Sequence, residues 1–258
     1  MRIALLNKPT PALEECQLTF LGRDSIQLEF ALQQHAEYAA ALCKMGVHVE
    51  MLEVNQSCPD AVFVEDTAII LDEVAVITSM GSASRRTETA AMAGATSNFR
   101  RDVRRISLPA TIDGGDVLRV GKTLFVGKSS RTNDAGINAF EEIVKFFSYA
   151  VHRVQVSGCL HLKTGITALN DETVVCNPDW VDVSRFADYR LIQVDAREPW
   201  GANALRIGDR LLLNTSYPRT ADRIDALNFE CVRVDISEFG KAEAGLTCLS
   251  IVFEVENR

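Results

Sequence analysis

The chain has 258 residues, 47% of them hydrophobic, and carries a formal net charge of −8 at neutral pH. That apolar content suffices for a globular core, while the negative charge repels phosphate backbones and sets nucleic acid aside as a partner. Apolar runs are broken by charge far short of the roughly twenty residues of a bilayer span, and seven cysteines without a CxxC pair, beside four histidines without HxxxH, suggest neither a disulfide framework nor a zinc site.

Along the chain, "RIALLN" reads as a strand, residues 24–45 carry a helical pattern stopping near Gly46, and "VHVEMLEV" is a second strand. The apolar stretch before Asn7-Lys8-Pro9 is too short for a signal h-region, so the expected location is cytoplasmic. Four hairpin-like pairs of apolar runs follow. "VFVEDTAIILDEVAVITSM" turns at Asp72-Glu73, "DGGDVLRVGKTLFVGKS" at Gly121-Lys122, "HLKTGITALNDETVVCN" around Asn170-Asp171, and "ANALRIGDRLLLNTS" at Gly208-Asp209. Helix-like stretches come after the hairpins. Ile137, Phe140, Ile143, Val144 and Phe147 keep a helical spacing, as do Ile224 and Leu227, and the short β-rich runs "VHRVQV", "RLIQVD" and "CVRVDI" succeed them.

The repeating unit is therefore hairpin, helix, strand, at a spacing of roughly 40 to 50 residues. The N-terminal unit lacks one strand, and "TCLSIVFEV" at the other end is a strand without a helix. A fifth unit is complete if these two pair. The expectation is one α/β domain, residues 1–258, built as a five-unit propeller whose turns and strand ends gather into a shared pocket. Cys248 then lies at the ring closure.

Four stretches could carry chemistry. Asp60, Glu65 and Asp66 interrupt an apolar run, where burial costs several kcal/mol per carboxylate unless donors or a cation meet them, so they form either an internal ion pair or a trap for a cationic ligand. Asp113 and Asp116 flank two glycines in a turn. His161 opens "HLKTG" as at the start of a strand, without the apolar stripe that marks His35 as structural. Arg85 and Arg131 precede helix-like segments, free for solvent or for forked contacts to a carboxylate. Cys248 alone reads as a small buried hydrophobe.

Together "PDAVFVEDTAII", "SRRTET", "IDGGDVL", "SRTN", "HLKTG", "YPRT" and "LTCLSIVF" make the chain resemble the dimethylarginine dimethylaminohydrolases, guanidine-modifying enzymes with a five-bladed α/β propeller of ββαβ units. The resemblance runs from Met1 to about Phe253. It implies Cys248 as nucleophile, His161 as general acid and base, and Asp113 orienting the imidazole. It further implies Asp60, Glu65 and Asp66 on the substrate's charged nitrogens, Arg85 and Arg131 on its α-carboxylate, and the main-chain carbonyls of Leu18 and Ala242 on its α-amino group. The reaction implied is hydrolysis of Nω-methylated arginines to citrulline and a methylamine, with no metal or other cofactor, a small molecule as sole partner, no membrane, and a homodimer as a compatible assembly. Arginine deiminases resemble "HLD" where this chain has "HLK", so Lys163 argues against unsubstituted arginine. The competing readings are another guanidine hydrolase, such as an arginine deiminase, and a non-catalytic five-fold propeller.

Overall fold

In the computed structural model, which describes residues 1–255, fifteen short strands form five three-stranded sheets. The first unit has β1 (Arg2–Asn7) in the middle, α1 (Leu28–Lys44) as its crossover and β2 (His48–Leu52) parallel to β1. The second runs β3 (Ala68–Ile70), β4 (Val74–Ile77), α2 (Thr89–Ser97) and β5 (Asp102–Arg105). The third runs β6 (Val117–Val120), β7 (Thr123–Lys128), α3 (Asp134–Val144) and β8 (Ala150–Gln155). The fourth opens with a single turn, α4 (Leu162–Gly165), then β9 (Ile166–Ala168), β10 (Thr173–Cys176) and β11 (Arg190–Gln193). The fifth runs β12 (Leu205–Ile207), β13 (Arg210–Asn214), α5 (Pro218–Asp225) and β14 (Glu230–Val234), and the turn α6 (Ser237–Gly240) leads to β15 (Ile251–Glu254).

In every sheet the middle strand is antiparallel to the first strand of its unit and parallel to the last. The ring closes as the repeat requires. β15 pairs antiparallel with β1, Arg2 opposite Glu254 and Leu5 opposite Ile251, supplying the strand that the first unit lacks.

The core lies between the blades. Side chains alternate across a strand, so each middle strand serves two neighbours. On β4, Val74 and Val76 pack toward the third unit and Ala75 and Ile77 toward the first; on β10, Val174 and Cys176 join the third unit while Val175 joins the fifth. Burial on both faces explains why these strands read as continuous apolar runs.

Three local features differ from the sequence expectation. The connection from β10 to β11 holds only a 3-10 turn, Val183–Phe186, because Trp180 and Asp182 are hydrogen-bonded to Ser157 and Gln155 beside β8, which keeps that stretch extended and leaves too few residues for a longer helix. His161 is not in a strand; its extended backbone starts the turn α4. Cys248 likewise sits in a 3-10 turn, Thr247–Leu249, before β15 begins. His35 is buried in α1 against Phe239, and burial holds its pKa down at about 4, so it stays neutral as a structural residue. Among the described residues no helix is long and apolar enough to cross a membrane.

Candidate active site

The polar residues of interest recur at one place in the repeat, just before the first strand of each unit. Glu65 and Asp66 precede β3, Asp113 precedes β6, His161 and Lys163 precede β9, Asn203 precedes β12, and Thr247 and Cys248 precede β15. Short helical turns hold four of these positions, at Val64–Thr67, Gly114–Asp116, Leu162–Gly165 and Thr247–Leu249.

The imidazole of His161 is 4% exposed and lies between two carboxylates. Its Nε2 is 3.1 Å from Asp113 Oδ2, and its Nδ1 is 3.7 Å from Asp66 Oδ1, an ion-pair contact beyond hydrogen-bond length. Burial alone pulls the imidazole pKa down; Asp66, the Asp113 hydrogen bond and the charge of Asp116 outweigh it and hold the pKa at about 9. His161 is thus an imidazolium at neutral pH. Asp113 is fixed in turn, its Oδ1 accepting the Gly81 N–H at 2.9 Å and its own N–H donating to Thr132 Oγ1 at 3.1 Å.

Both glycines of "DGGD" are required by close approach. A Cβ on Gly114 would lie 2.0 Å from the Glu65 carbonyl oxygen, and one on Gly115 would lie 2.7 Å from His161 Nδ1. Asp116, the other candidate for orienting the ring, does a different job. Its Oδ1 accepts the Leu162 N–H at 2.9 Å, and its Oδ2 accepts the hydroxyls of Ser129 and Thr132 at 2.6 and 2.7 Å, which fixes the turn after His161. Burial pushes its pKa up to about 6, against the pull of His161 and these donors.

Cys248 is braced from both sides. The Gly245 N–H points at its Sγ from 3.4 Å, and buried Tyr38 donates its hydroxyl to the Leu246 carbonyl at 2.9 Å and shares a 2.7 Å hydrogen bond with Ser250 Oγ. Burial pushes the thiol pKa far up, and the charges of Glu65 and Asp66 push it further, against a smaller pull from Lys163. Without a cation beside it the sulfur remains a thiol.

The acids expected around a cation are buried and already partly matched. Glu65 pairs with Lys163 at 2.6 Å and accepts the Thr247 hydroxyl at 2.8 Å. Asn203 ties these elements together, donating to the Lys163 carbonyl and accepting the Thr247 N–H. Asp66 accepts the Gly115 N–H at 3.0 Å and the Arg85 Nη1 at 2.6 Å; burial would raise its pKa, but His161 and Arg85 hold it well below the usual range. Asp60 accepts the Gln17 N–H at 3.1 Å, with its pKa raised by burial against the pull of Arg85.

The two arginines differ. Arg85 is 5% exposed and gives its guanidinium to Asp66, Glu88 and the carbonyls of Asp60 and Phe63, so it braces the acids where a free fork was expected. Burial of this charge is offset by those partners. Arg131 is half-buried and contacts Gln17 Oε1 at 3.3 Å. Leu18 is half-buried beside Gln17, and Ala242 is buried near the end of α6.

Sequence reasoning missed Gln17, Tyr38, Glu88, Thr132, Asn203 and Thr247. Gln17, Tyr38, Asn203 and Thr247 bond candidate residues or their immediate neighbours from distant parts of the chain, whereas Glu88 and Thr132 bond theirs within one unit. Glu88 inside "SRRTET", Thr132 inside "SRTN" and Thr247 inside "LTCLSIVF" lie within stretches already singled out; nothing local marks the other three. Asp66, Asp113 and His161 also bring potential metal-ligand atoms within 4.8 Å of one another. The imidazolium already supplies a positive charge between those carboxylates.

Residues 4–189 match the family described as "N,N dimethylarginine dimethylhydrolase, eukaryotic". The chain is 39% identical over 249 residues to an N(G),N(G)-dimethylarginine dimethylaminohydrolase of Streptomyces coelicolor, covering 96% of this chain and 95% of that protein. Among solved structures it is similar to the Pseudomonas aeruginosa enzyme of that name, crystallised as a cysteine-to-serine mutant with citrulline, at a TM-score of 0.93, 30% identity and coverage of 97% and 98% of the two chains. It is also similar to a dimethylarginine dimethylaminohydrolase histidine-to-glycine variant in an adduct with S-methyl-L-thiocitrulline, at a TM-score of 0.92, 30% identity and coverage of 97% and 99%.

Proposed function

The chain belongs to the dimethylarginine dimethylaminohydrolase family of C–N hydrolases, and from that premise we propose that it converts asymmetric dimethylarginine and monomethylarginine to citrulline and a methylamine, with Cys248 as nucleophile, His161 as acid and base, and Asp113 orienting the ring. Residues 1–258 act as one domain in this reading. The observation that carries it is the buried imidazolium held between Asp113 and Asp66, in the same ring of strand starts as a thiol kept protonated by its surroundings.

A guanidinium is a poor electrophile, so the site must combine rigid positioning with a strong nucleophile. Substrate supplies the missing condition. Its positive charge beside Glu65 and Asp66 counters the negative charges that raise the Cys248 pKa, so the thiol releases its proton to solvent and the thiolate forms as the substrate binds. Attack by sulfur on the guanidinium carbon forms the C–S bond of a tetrahedral adduct. His161 then gives its proton, from the Nδ1 edge that Asp113 leaves free, to the methylated nitrogen; the C–N bond breaks and the neutral amine departs.

The remaining S-alkylthiouronium is attacked by water, whose proton passes to the now neutral imidazole. The C–S bond breaks as the adduct's hydroxyl proton passes to the departing sulfur, citrulline leaves, and the resting thiol and imidazolium are restored. Asp60, Glu65 and Asp66 hold the charged nitrogens in this scheme and Arg131 the α-carboxylate, with the last Nη1 N–H of Arg85 behind it. The carbonyls of Leu18 and Ala242 receive the α-ammonium. Lys163, by occupying one oxygen of Glu65, removes an acceptor that two unsubstituted terminal nitrogens would need, which favours methylated substrates.

The test is to incubate the protein with asymmetric dimethylarginine, monomethylarginine and arginine and to measure citrulline and amine. Methylated substrates are expected to react well ahead of arginine. Cys248→Ser is expected to bind dimethylarginine without turnover; wild-type rates in that variant would refute the nucleophile.

A further inference from the structure

Glu243 occupies a position that backbone geometry favours for glycine. The turn α6 ends with the Ala244 N–H donating to the Phe239 carbonyl and the Glu243 N–H to the Gly240 carbonyl, both at 3.1 Å, the paired bonds of a Schellman stop. Glu243 is the left-handed residue of that stop, at φ +60°. Glycine is the usual occupant there because a Cβ crowds the backbone. A glutamate so placed points to a need beyond ending the helix.

Its side chain turns inward, and the residue is 4% exposed. One oxygen, Oε1, accepts three successive main-chain N–H groups: Thr19 at 2.8 Å, Phe20 at 2.5 Å and Leu21 at 2.7 Å. The other, Oε2, is buried without a hydrogen-bond partner among the described residues. Hydrogen-bond compensation for burying this carboxylate therefore comes from that loop. The loop has little else to fix it. From Gln17 to Ile26 the chain forms no backbone-to-backbone hydrogen bond among the described residues, and residues 19–25 are exposed. Arg23 ties it to the Cys16 carbonyl at 2.7 Å, and Lys241 reaches the Ser25 carbonyl at 2.9 Å.

Leu18 immediately precedes the three captured amides, and Ala242 immediately precedes Glu243. We propose that Glu243 is a positioning residue for substrate recognition: by capturing the amides of residues 19–21 it sets the carbonyls of Leu18 and Ala242 at the spacing that receives the α-ammonium group. This rests on the substrate reading given above. Glu243 touches no reacting atom and acts through the two segments it joins, so its contribution falls on binding of the amino-acid end of the substrate.

Two variants separate this role from a structural one. Glu243→Gly relieves the left-handed backbone and should fold with an unchanged or higher melting temperature, while Glu243→Gln keeps an oxygen acceptor. With dimethylarginine, Glu243→Gly is expected to raise KM roughly 10- to 100-fold, with kcat within about threefold, because charge-assisted bonds to three amides are lost. Glu243→Gln should recover most of that loss. The inhibition constant of 5-(N′,N′-dimethylguanidino)pentanoate, which lacks the α-amino group, should be unchanged in Glu243→Gly. Hydrogen exchange of the Thr19–Leu21 amides, measured without substrate, should accelerate at least about tenfold. An unchanged KM in the folded glycine variant, or equal weakening of both ligands, overturns the proposal. Absence of turnover in the wild-type protein would instead refute the assigned reaction, and unchanged amide exchange in Glu243→Gly would then overturn the anchor independently.

Discussion

Replacing Gly115 by alanine adds one methyl group at the most crowded point of the site. That Cβ would stand 2.7 Å from both Asp66 Oδ1 and His161 Nδ1, and 2.8 Å from His161 Cγ. Carbon contacts relax to about 3.5 Å or more, so ring and carboxylate must separate from the backbone by close to 1 Å. Displacement of that size costs about 10²-fold in rate, and the overpacking costs about 1–3 kcal/mol of stability. Gly94→Ala is the control, since its Cβ meets nothing within 4 Å inside α2, and it should stabilise by about 0.5–1 kcal/mol. The assay is steady-state citrulline release alongside thermal melting. Gly115→Ala is expected to lose activity out of proportion to its melting temperature, and the basic limb of its pH profile should move down from about 9 as Asp66 loosens from His161. A folded Gly115→Ala protein turning over at nearly the wild-type rate would refute the crowding argument.

Asp113→Asn keeps the shape of the ring's partner and removes its charge; kcat should fall by roughly 10²- to 10⁴-fold, read by citrulline formation, and a loss below tenfold would contradict the assignment. Arg85→Met strips Asp66 and Glu88 of their buried counterion and should cost about 3–5 kcal/mol in chemical denaturation. Stability should fall with rising pH in two windows. Asp116, raised from 3.8 to about 6, contributes fully below pH 3.8 and loses its contribution as pH climbs through 6; His161, raised from 6.5 to about 9, does so below pH 6.5 and through 9. Denaturation midpoints across pH check this: Asp116→Asn should flatten the first decline and His161→Gln the second.

The repeat was legible because its turns carry Gly and Asp at the hairpin tips and its middle strands are apolar on both faces. Ring closure followed from one unit lacking the strand that the chain's other end supplies, and β15 pairs with β1 accordingly. The fourth unit's missing α-helix was not legible, since periodicity over so few residues cannot separate a 3-10 turn from a helix. Asp113 and Asp116 look alike in "DGGD", and only the fold separates the one facing His161 from the one holding Leu162. Arg85 was read as a solvent-facing or ligand-facing fork because its acidic partners lie both three residues ahead and nineteen behind, the latter brought close by the fold. Glu243 carried no sequence signal at all, because the amides it captures are more than two hundred residues away.

Placing one or two functional groups at the start of each blade has a mechanical consequence. No blade contains a working set, so the alignment of the groups depends on the seams between blades, where the apolar side chains of β4, β7, β10 and β13 interlock. A small tilt at any seam would misalign one spoke relative to the others while leaving every sheet intact. Turnover should therefore serve as the strain gauge of the whole ring, responding to a trimmed methyl at Val175 or Leu212, remote from the chemistry, before any spectroscopic sign of unfolding.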